Sequence, residues 1–404
     1  MSEVRGRWAA LADRVDRATP EGRDRSVDAL RAFAILGVVF GHWLVTALTA
    51  EGGSLHGTSP LVRMPWLAPL SWVFQTLAVF FLVGGHVAAR GYDSARVRGV
   101  SYRAWVGQRL GRLFRPVAAV VALWTVVAAG LLLGGAEWDT VRTLLTLVWS
   151  PLWFLLVFAA LTAATPLVAR LSPVWLVAVV AGVDAWRFGF GGPQWAGWVN
   201  VAAGWLVPYT LGAAWARGAF TRRRRPALLL LGGGVAAAAA LVVWGGYPAS
   251  MVGVPGAAVS NLNPPTLAAV AFGLAQCGLA LLVREPLGRA MRRPRRWAKV
   301  ALLNLSAMTV FLWHQTSMMA VTALGLLVSA DLPGLHTVPA SAGWIAARLL
   351  WLPVFAAALA VCWAAFRVHE RPRPRAAGRS VAVGGSSRGS GERTPAAGRV
   401  ISRA

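Results

Sequence analysis

Three side chains in the stretch RSVDALRAFAILGVVFGHW, Arg25 to Trp43, have the types and spacing of a reactive stripe: Asp28, Arg31 and His42. Arg31 and His42 are eleven residues apart. On a helix that is about 1100°, only about 20° past three full turns, so both fall on one face. Asp28 lies three residues before Arg31 on the same face and can pair with it. The helical rise between Arg31 and His42 is about 16 Å, which predicts an imidazole at mid-bilayer depth. An imidazole with an unperturbed pKa near 6.5 is the usual general base at neutral pH, and it can also carry a group covalently. A structural histidine bonded to a neighbouring helix is the competing reading from these residues alone.

Further ionisable groups sit where a lipid-facing helix would not hold them. His314, in LNLSAMTVFLWHQTSMM, is followed by Gln315, Thr316 and Ser317, a polar band that would serve a site or glue helices together. His86, in VFFLVGGHVAARG, follows two glycines that permit close backbone approach; a snorkelling interface histidine is its plain alternative. Asp184 and Arg187, three apart in VVAGVDAWRFG, read as a local pair at the outer interface. Arg348 lies inside a late apolar segment. In RAWVGQRLGRLFRP, Arg109, Arg112 and Arg115 recur every three residues on a helix expected to end at Pro116. Guanidinium forks gathered there suit the phosphates of a cytosolic cosubstrate or of anionic lipid headgroups.

The elements that position these groups are apolar throughout. Of 404 residues, 57% are hydrophobic and 14% charged, well short of a soluble domain's share of charge. Ten segments are long enough to span: 30–50, 69–89, 116–135, 152–169, 173–190, 198–216, 226–246, 264–283, 300–328 and 344–366. The basic residues test that count. On one side of the alternating loops lie 36 of the 40 Lys and Arg; only Arg63, Arg142, Arg187 and Arg348 fall elsewhere. This is the positive-inside pattern, and it places both termini in the cytoplasm. The fold class expected is therefore an all-α polytopic membrane protein of about ten transmembrane helices in the plasma membrane. Its parts are a basic cytosolic segment 1–28, a membrane domain 29–367, and a disordered Arg/Gly/Ser/Pro-rich tail 368–404. Trp8, Leu11 and Val15 share one side of an N-terminal helix that could lie on the inner leaflet.

The net charge of +25 follows membrane topology, so no nucleic acid is expected as a partner. Cys277 and Cys362 both lie in apolar runs, which argues against a disulfide scaffold. The histidines fall on separate segments without ligand spacing, so no metal site is expected.

The motifs, taken in order, resemble the bacterial acyltransferase-three family of integral-membrane acyltransferases. SVDALRAFAILGVVFGHW is similar to that family's opening helix, in which an Arg, ten residues and a His recur; Arg31 and His42 meet that spacing. LAVFFLVGGHVAARG resembles its second helix, with Gly-Gly-His in place of the usual Ser-Gly-aromatic. RLGRLFRP matches its Arg-x-x-Arg segment through Arg109 and Arg112. LNLSAMTVFLWHQ is similar to its late helix, with Phe311 where Tyr is common. The likeness covers about 25–367.

The resemblance implies transfer of an acyl group, commonly acetyl, from cytosolic acyl-CoA to a hydroxyl of a carbohydrate or lipid-linked acceptor, among membrane lipids. On this reading the helices surround a wet cavity open to the cytosol. His42 is base or acyl relay, with Arg31, Asp28 and His314 in the catalytic set. Arg109, Arg112, Arg115 and His86 hold the acyl-CoA. The rival class is a proton-coupled transporter or glycan-lipid carrier, since intramembrane His and Asp can form proton relays. Against it, the chain shows no paired halves with matching broken helices.

Overall fold

The computed structural model describes residues 2–370, apart from 53, 169, 221 and 222. Arg222 and the tail beyond 370 lie outside the described residues. The chain runs α1 (Ser2–Arg17), α2 (Arg25–Val45), a hairpin of β1 (Ala47–Glu51) and β2 (Ser54–Thr58), α3 (Pro60–Arg63), α4 (Ala68–Phe74), α5 (Leu77–Val97), α6 (Tyr102–Leu133), α7 (Trp138–Trp149), α8 (Leu152–Ala163) and α9 (Thr165–Val168). It continues with α10 (Pro173–Asp184), α11 (Val199–Ala216), α12 (Arg225–Val243), α13 (Leu267–Ala290), α14 (Pro294–Leu305), α15 (Ala307–Leu326) and α16 (Ala342–Phe366).

Among the described residues, seven helical stretches are long and apolar enough to cross a membrane: α2, Pro65–Val97, α6, Trp138–Ala163, α12, α13 and α16. Three of the ten expected spans fall on helices that are shorter or more polar. α10 has 12 residues, α11 has 18 with Asn200 and Thr210 inside it, and α15 carries His314 to Ser317. Burial gives the physical reason for α11 and α15. Most of each helix is enclosed by protein, so lipid does not dictate its composition. The periphery is the reverse: only 11% of the apolar window of α16 is buried, against 56% for α2 and α13.

α2 starts where Asp24 caps it, its carboxylate accepting from the N–H groups of Ser26 and Val27. It ends at Val45, five residues before the expected end, because Ala47–Thr58 turns back as an antiparallel hairpin with Glu51 opposite Ser54. The turn contains Gly52 at φ 59°, a conformation that favours glycine. His42 therefore lies in the last turn of α2, three residues before its end.

α5 and α11 cross almost backbone to backbone. A Cβ on Gly85 would sit 2.0 Å from the carbonyl oxygen of Tyr209, and one on Gly212 would sit 1.9 Å from that of Leu82. The two glycines thus fix the central helix pair. α6 does not end at Pro116. It runs on to Leu133 as one helix with Pro116 buried inside it, and the carbonyl of Arg112 forgoes its helical partner. Nor does α1 offer its apolar side to lipid alone. Ala12 is fully buried, and Val15 packs beside Ala29, Met291 and Trp297. The Trp297 indole, on α14, donates to Thr19 Oγ1 at 2.7 Å, and Arg25 both pairs with Asp16 at 2.6 Å and stacks on that indole.

Candidate functional site

Four helices bring the polar groups together in two places. At the far end of α2, the His42 ring lies 5.1 Å, centroid to centroid, from that of His314 on α15. His314 Nδ1 is 2.6 Å from the carbonyl of Phe311. A carbonyl only accepts, so Nδ1 carries the proton and Nε2 the lone pair. His314 is fully buried and Nε2 has no partner. His42 is half-buried, and its Nδ1 is 3.2 Å from the Gln315 carboxamide nitrogen.

That contact decides the tautomer. With the NH₂ toward the ring, Nδ1 accepts and the proton sits on Nε2. Turning the amide over places Oε1 against an Nδ1–H and frees Nε2 as a base. Gln315 is buried and Oε1 has no partner, so the turn breaks no other hydrogen bond of that oxygen. The rest of the α15 polar band serves packing. Trp124 on α6 donates to Thr316 Oγ1 at 3.0 Å, Ser317 bonds back to the His314 carbonyl, and the Trp43 indole donates to that same carbonyl at 2.9 Å.

His42 and Gln315 line a cavity of about 550 Å³. Its other polar groups include Gln75, Thr143, Thr146 and Ser150, with His56 of the hairpin. Its walls are the last two turns of α2, the hairpin, α7, the start of α5 and the 252–262 segment. The cavity therefore sits at the opposite end of α2 from Arg31, not at the end expected to face the cytosol. The early end of α2 at Val45 is the reason.

At the near end, Asp28 is clamped by two guanidiniums. Arg23 binds it through both carboxylate oxygens at 2.6 and 3.0 Å, and Arg31 through one at 2.9 Å. Bonding to Asp28 raises the Arg23 pKa above its ordinary value. Arg31 Nε also donates to Asn304 Oδ1 on α14, and Asn304 Nδ2 donates to the Asp28 carbonyl at 2.7 Å. Asn304 lies within the stretch LNLSAMTVFLWHQ, where its one signal as a site residue is a carboxamide inside an apolar run.

The remaining candidates separate. Arg109 turns toward α5, stacking on Trp105 at 5.0 Å with Nη2 3.5 Å from the Val87 carbonyl, whereas Arg112 and Arg115 are exposed. Steps of three residues rotate about 60° each, so the three fan around α6 instead of converging. His86 is buried in the α5–α11 crossing, its ring 4.1 Å from that of Trp215, and it does not line the His42 cavity. Asp184 and Arg187 do pair, at 3.4 Å, but inside a buried knot with Asn200, Tyr247 and the Leu267 N–H. Burial beside Asp184 pushes the Tyr247 hydroxyl's pKa up. Among the described residues no group of three or more His, Cys, Asp or Glu is placed to hold a metal ion.

Residues 24–367 match the model of a family described as an acyltransferase domain. No curated protein and no solved structure matches the chain. The match spans most of the chain, which belongs to this acyltransferase family.

Proposed function

We propose that this membrane acyltransferase moves an acyl group, commonly acetyl, from cytosolic acyl-CoA to a hydroxyl of a carbohydrate or lipid-linked acceptor held in the His42 cavity. The observation that carries this reading is the cavity itself. It joins one imidazole of adjustable tautomer to hydroxyl and carboxamide groups suited to a polyhydroxylated ligand. The orientation proposed is ten spans with both termini cytoplasmic, α10, α11 and α15 completing the seven. Arg31, Asp28 and Asn304 then face the cytosolic end, and the cavity faces the other.

In the proposed reaction the Gln315 amide is turned so that Oε1 accepts from His42 Nδ1–H, and neutral His42 takes the proton from the acceptor hydroxyl through Nε2 as the oxygen attacks the thioester carbonyl. The tetrahedral intermediate collapses, the C–S bond breaks, and the imidazolium returns the proton to the departing CoA thiolate. Arg31 and Arg109 hold the phosphates at the near end, about 16 Å along α2, a separation suited to a donor with a long flexible arm between phosphate and thioester. Arg112 and Arg115 add charge at the surface. His314 stands behind His42 and supplies a second lone pair. A covalent acyl-His42 relay uses the same geometry.

The test is turnover of labelled acetyl-CoA by the purified full chain in nanodiscs, wild type beside His42→Ala. Transfer or slow thioester hydrolysis that vanishes in the variant supports the reading. Equal activity in both removes His42 from the mechanism. A wild type that neither binds CoA nor consumes acyl-CoA turns the reading toward a carrier.

A further inference from the structure

We propose that Arg348 on α16 is the positioning residue for His42, an inference that rests on the reading of His42 above. Arg348 is 1% exposed. Among the described residues no carboxylate pairs with it. A guanidinium enclosed without a counter-ion is costly unless its donors are satisfied. Here they are met by backbone. Nε donates to the Trp43 carbonyl at 2.7 Å, Nη2 to the Thr46 carbonyl at 2.5 Å, and Nη1 to the Gly334 carbonyl at 2.8 Å. Nη2 also lies 3.0 Å from Met318 Sδ on α15, and the guanidinium carbon lies 4.8 Å from the Phe355 ring centre.

Trp43 and Thr46 belong to the last turn and the C-cap of α2. Their carbonyls are among those a helix leaves without partners, at the negative end of its dipole. Arg348 thus neutralises the end of the helix that carries His42, one residue from the imidazole. The same fork reaches α15 through Met318, one helical turn after His314 and Gln315. One planar group therefore sets the angle between the last turn of α2 and the helix bearing Gln315. Both ends of the His42–Gln315 contact depend on it. A lysine keeps the charge but cannot address three carbonyls that diverge in this way.

The experiment uses the full chain in nanodiscs, with activity expressed per folded molecule from size-exclusion chromatography. Beside donor KM and kcat, it reads carbethoxylation of His42 by diethyl pyrocarbonate through peptide mass spectrometry, with exposed His56 on β2 as internal reference. For Arg348→Lys, kcat is expected to fall at least tenfold, donor KM to stay within twofold, and the His42:His56 labelling ratio to shift at least threefold. A second variant, Gly334→Ala, displaces one anchor. Its Cβ would sit 2.7 Å from Arg348 N, so the carbonyl that holds Nη1 has to move. It is expected to act in the same direction with smaller size, and it carries the test if the lysine variant does not fold. Wild-type kcat and labelling in folded variants overturn the inference, as does an activity loss that only follows the folded fraction. If the wild type transfers no acyl group, the acyltransfer reading fails on its own and the labelling ratio decides the placement of His42.

Discussion

The carboxamide nitrogen of Gln315 stands 3.2 Å from Nδ1 of His42, and the two belong to helices more than 260 residues apart in sequence. Gln315 is buried and uses only half of its amide. Replacing it by Leu keeps the volume and removes both the donor and the acceptor. His42 then loses the group that orders its tautomers, and kcat is expected to fall at least tenfold with donor KM unchanged. Gln315→Glu keeps an acceptor for Nδ1–H and is expected to retain more activity than the Leu variant. Steady-state kinetics on the three proteins decides it; a Leu variant with wild-type kcat removes Gln315 from the site.

The cavity gives a prediction about the acceptor. Thr143 and Thr146 lie one turn of α7 apart and face the same cavity as His42. Thr143→Val with Thr146→Val keeps the shape while removing two hydroxyls. Acceptor KM is expected to rise about tenfold, consistent with two hydrogen bonds of about 0.5–1.5 kcal/mol each. Donor KM and acceptor-free thioester hydrolysis should not change. An equal rise in donor KM would place the donor, and not the acceptor, in this cavity.

The stripe of Asp28, Arg31 and His42 was legible because helical periodicity needs only local spacing, and α2 is helical across all three. The pairing of Asp28 with Arg31 follows from that same local geometry. What spacing could not show is which end of α2 meets which wall. The hairpin at 47–58 reads as a continuation of the apolar run, although the Gly52 turn and the alternation of β1 mark it. Missing it puts His42 at the middle of a helix instead of in its last turn. The close meeting of His42 with His314 and Gln315 is a long-range contact, so no local pattern encodes it. The arginine triplet shows the opposite failure: a regular three-residue repeat suggests convergence, yet the 3.6-residue turn spreads the side chains.

Asn304 gives a prediction for the near end. Its carboxamide accepts from Arg31 Nε and donates to the Asp28 carbonyl, so it fixes the guanidinium that is proposed to meet the donor phosphates. Asn304→Leu leaves Arg31 charged and paired with Asp28 but free to swing. Donor KM is expected to rise about three- to tenfold with little change in acceptor KM. Arg31→Ala should raise donor KM further, and Arg31→Lys should recover only part, because a single ammonium cannot bond Asn304 and Asp28 in the fork geometry. Isothermal titration with CoA in nanodiscs checks the order; equal affinity in all four proteins would detach this end of α2 from the donor.

The α5–α11 crossing sets a stability prediction independent of the chemistry. A Cβ at Gly85 would fall 2.0 Å from a backbone oxygen, a distance no side-chain rearrangement can relieve. The helices must part, and the packing of Phe81 on Trp205 beside the crossing goes with them. Gly85→Ala is therefore expected to lower the thermal midpoint in detergent by several degrees and to reduce the yield of monodisperse protein. Gly107→Ala is the matched control. That glycine is exposed on α6 with nothing within 4 Å of its Cβ position, so alanine should be neutral or add about 0.5–1 kcal/mol through helix propensity. If both substitutions leave the midpoint unchanged, the two helices do not pack backbone to backbone. If both lower it equally, the effect belongs to helix chemistry in general and the crossing is not its cause.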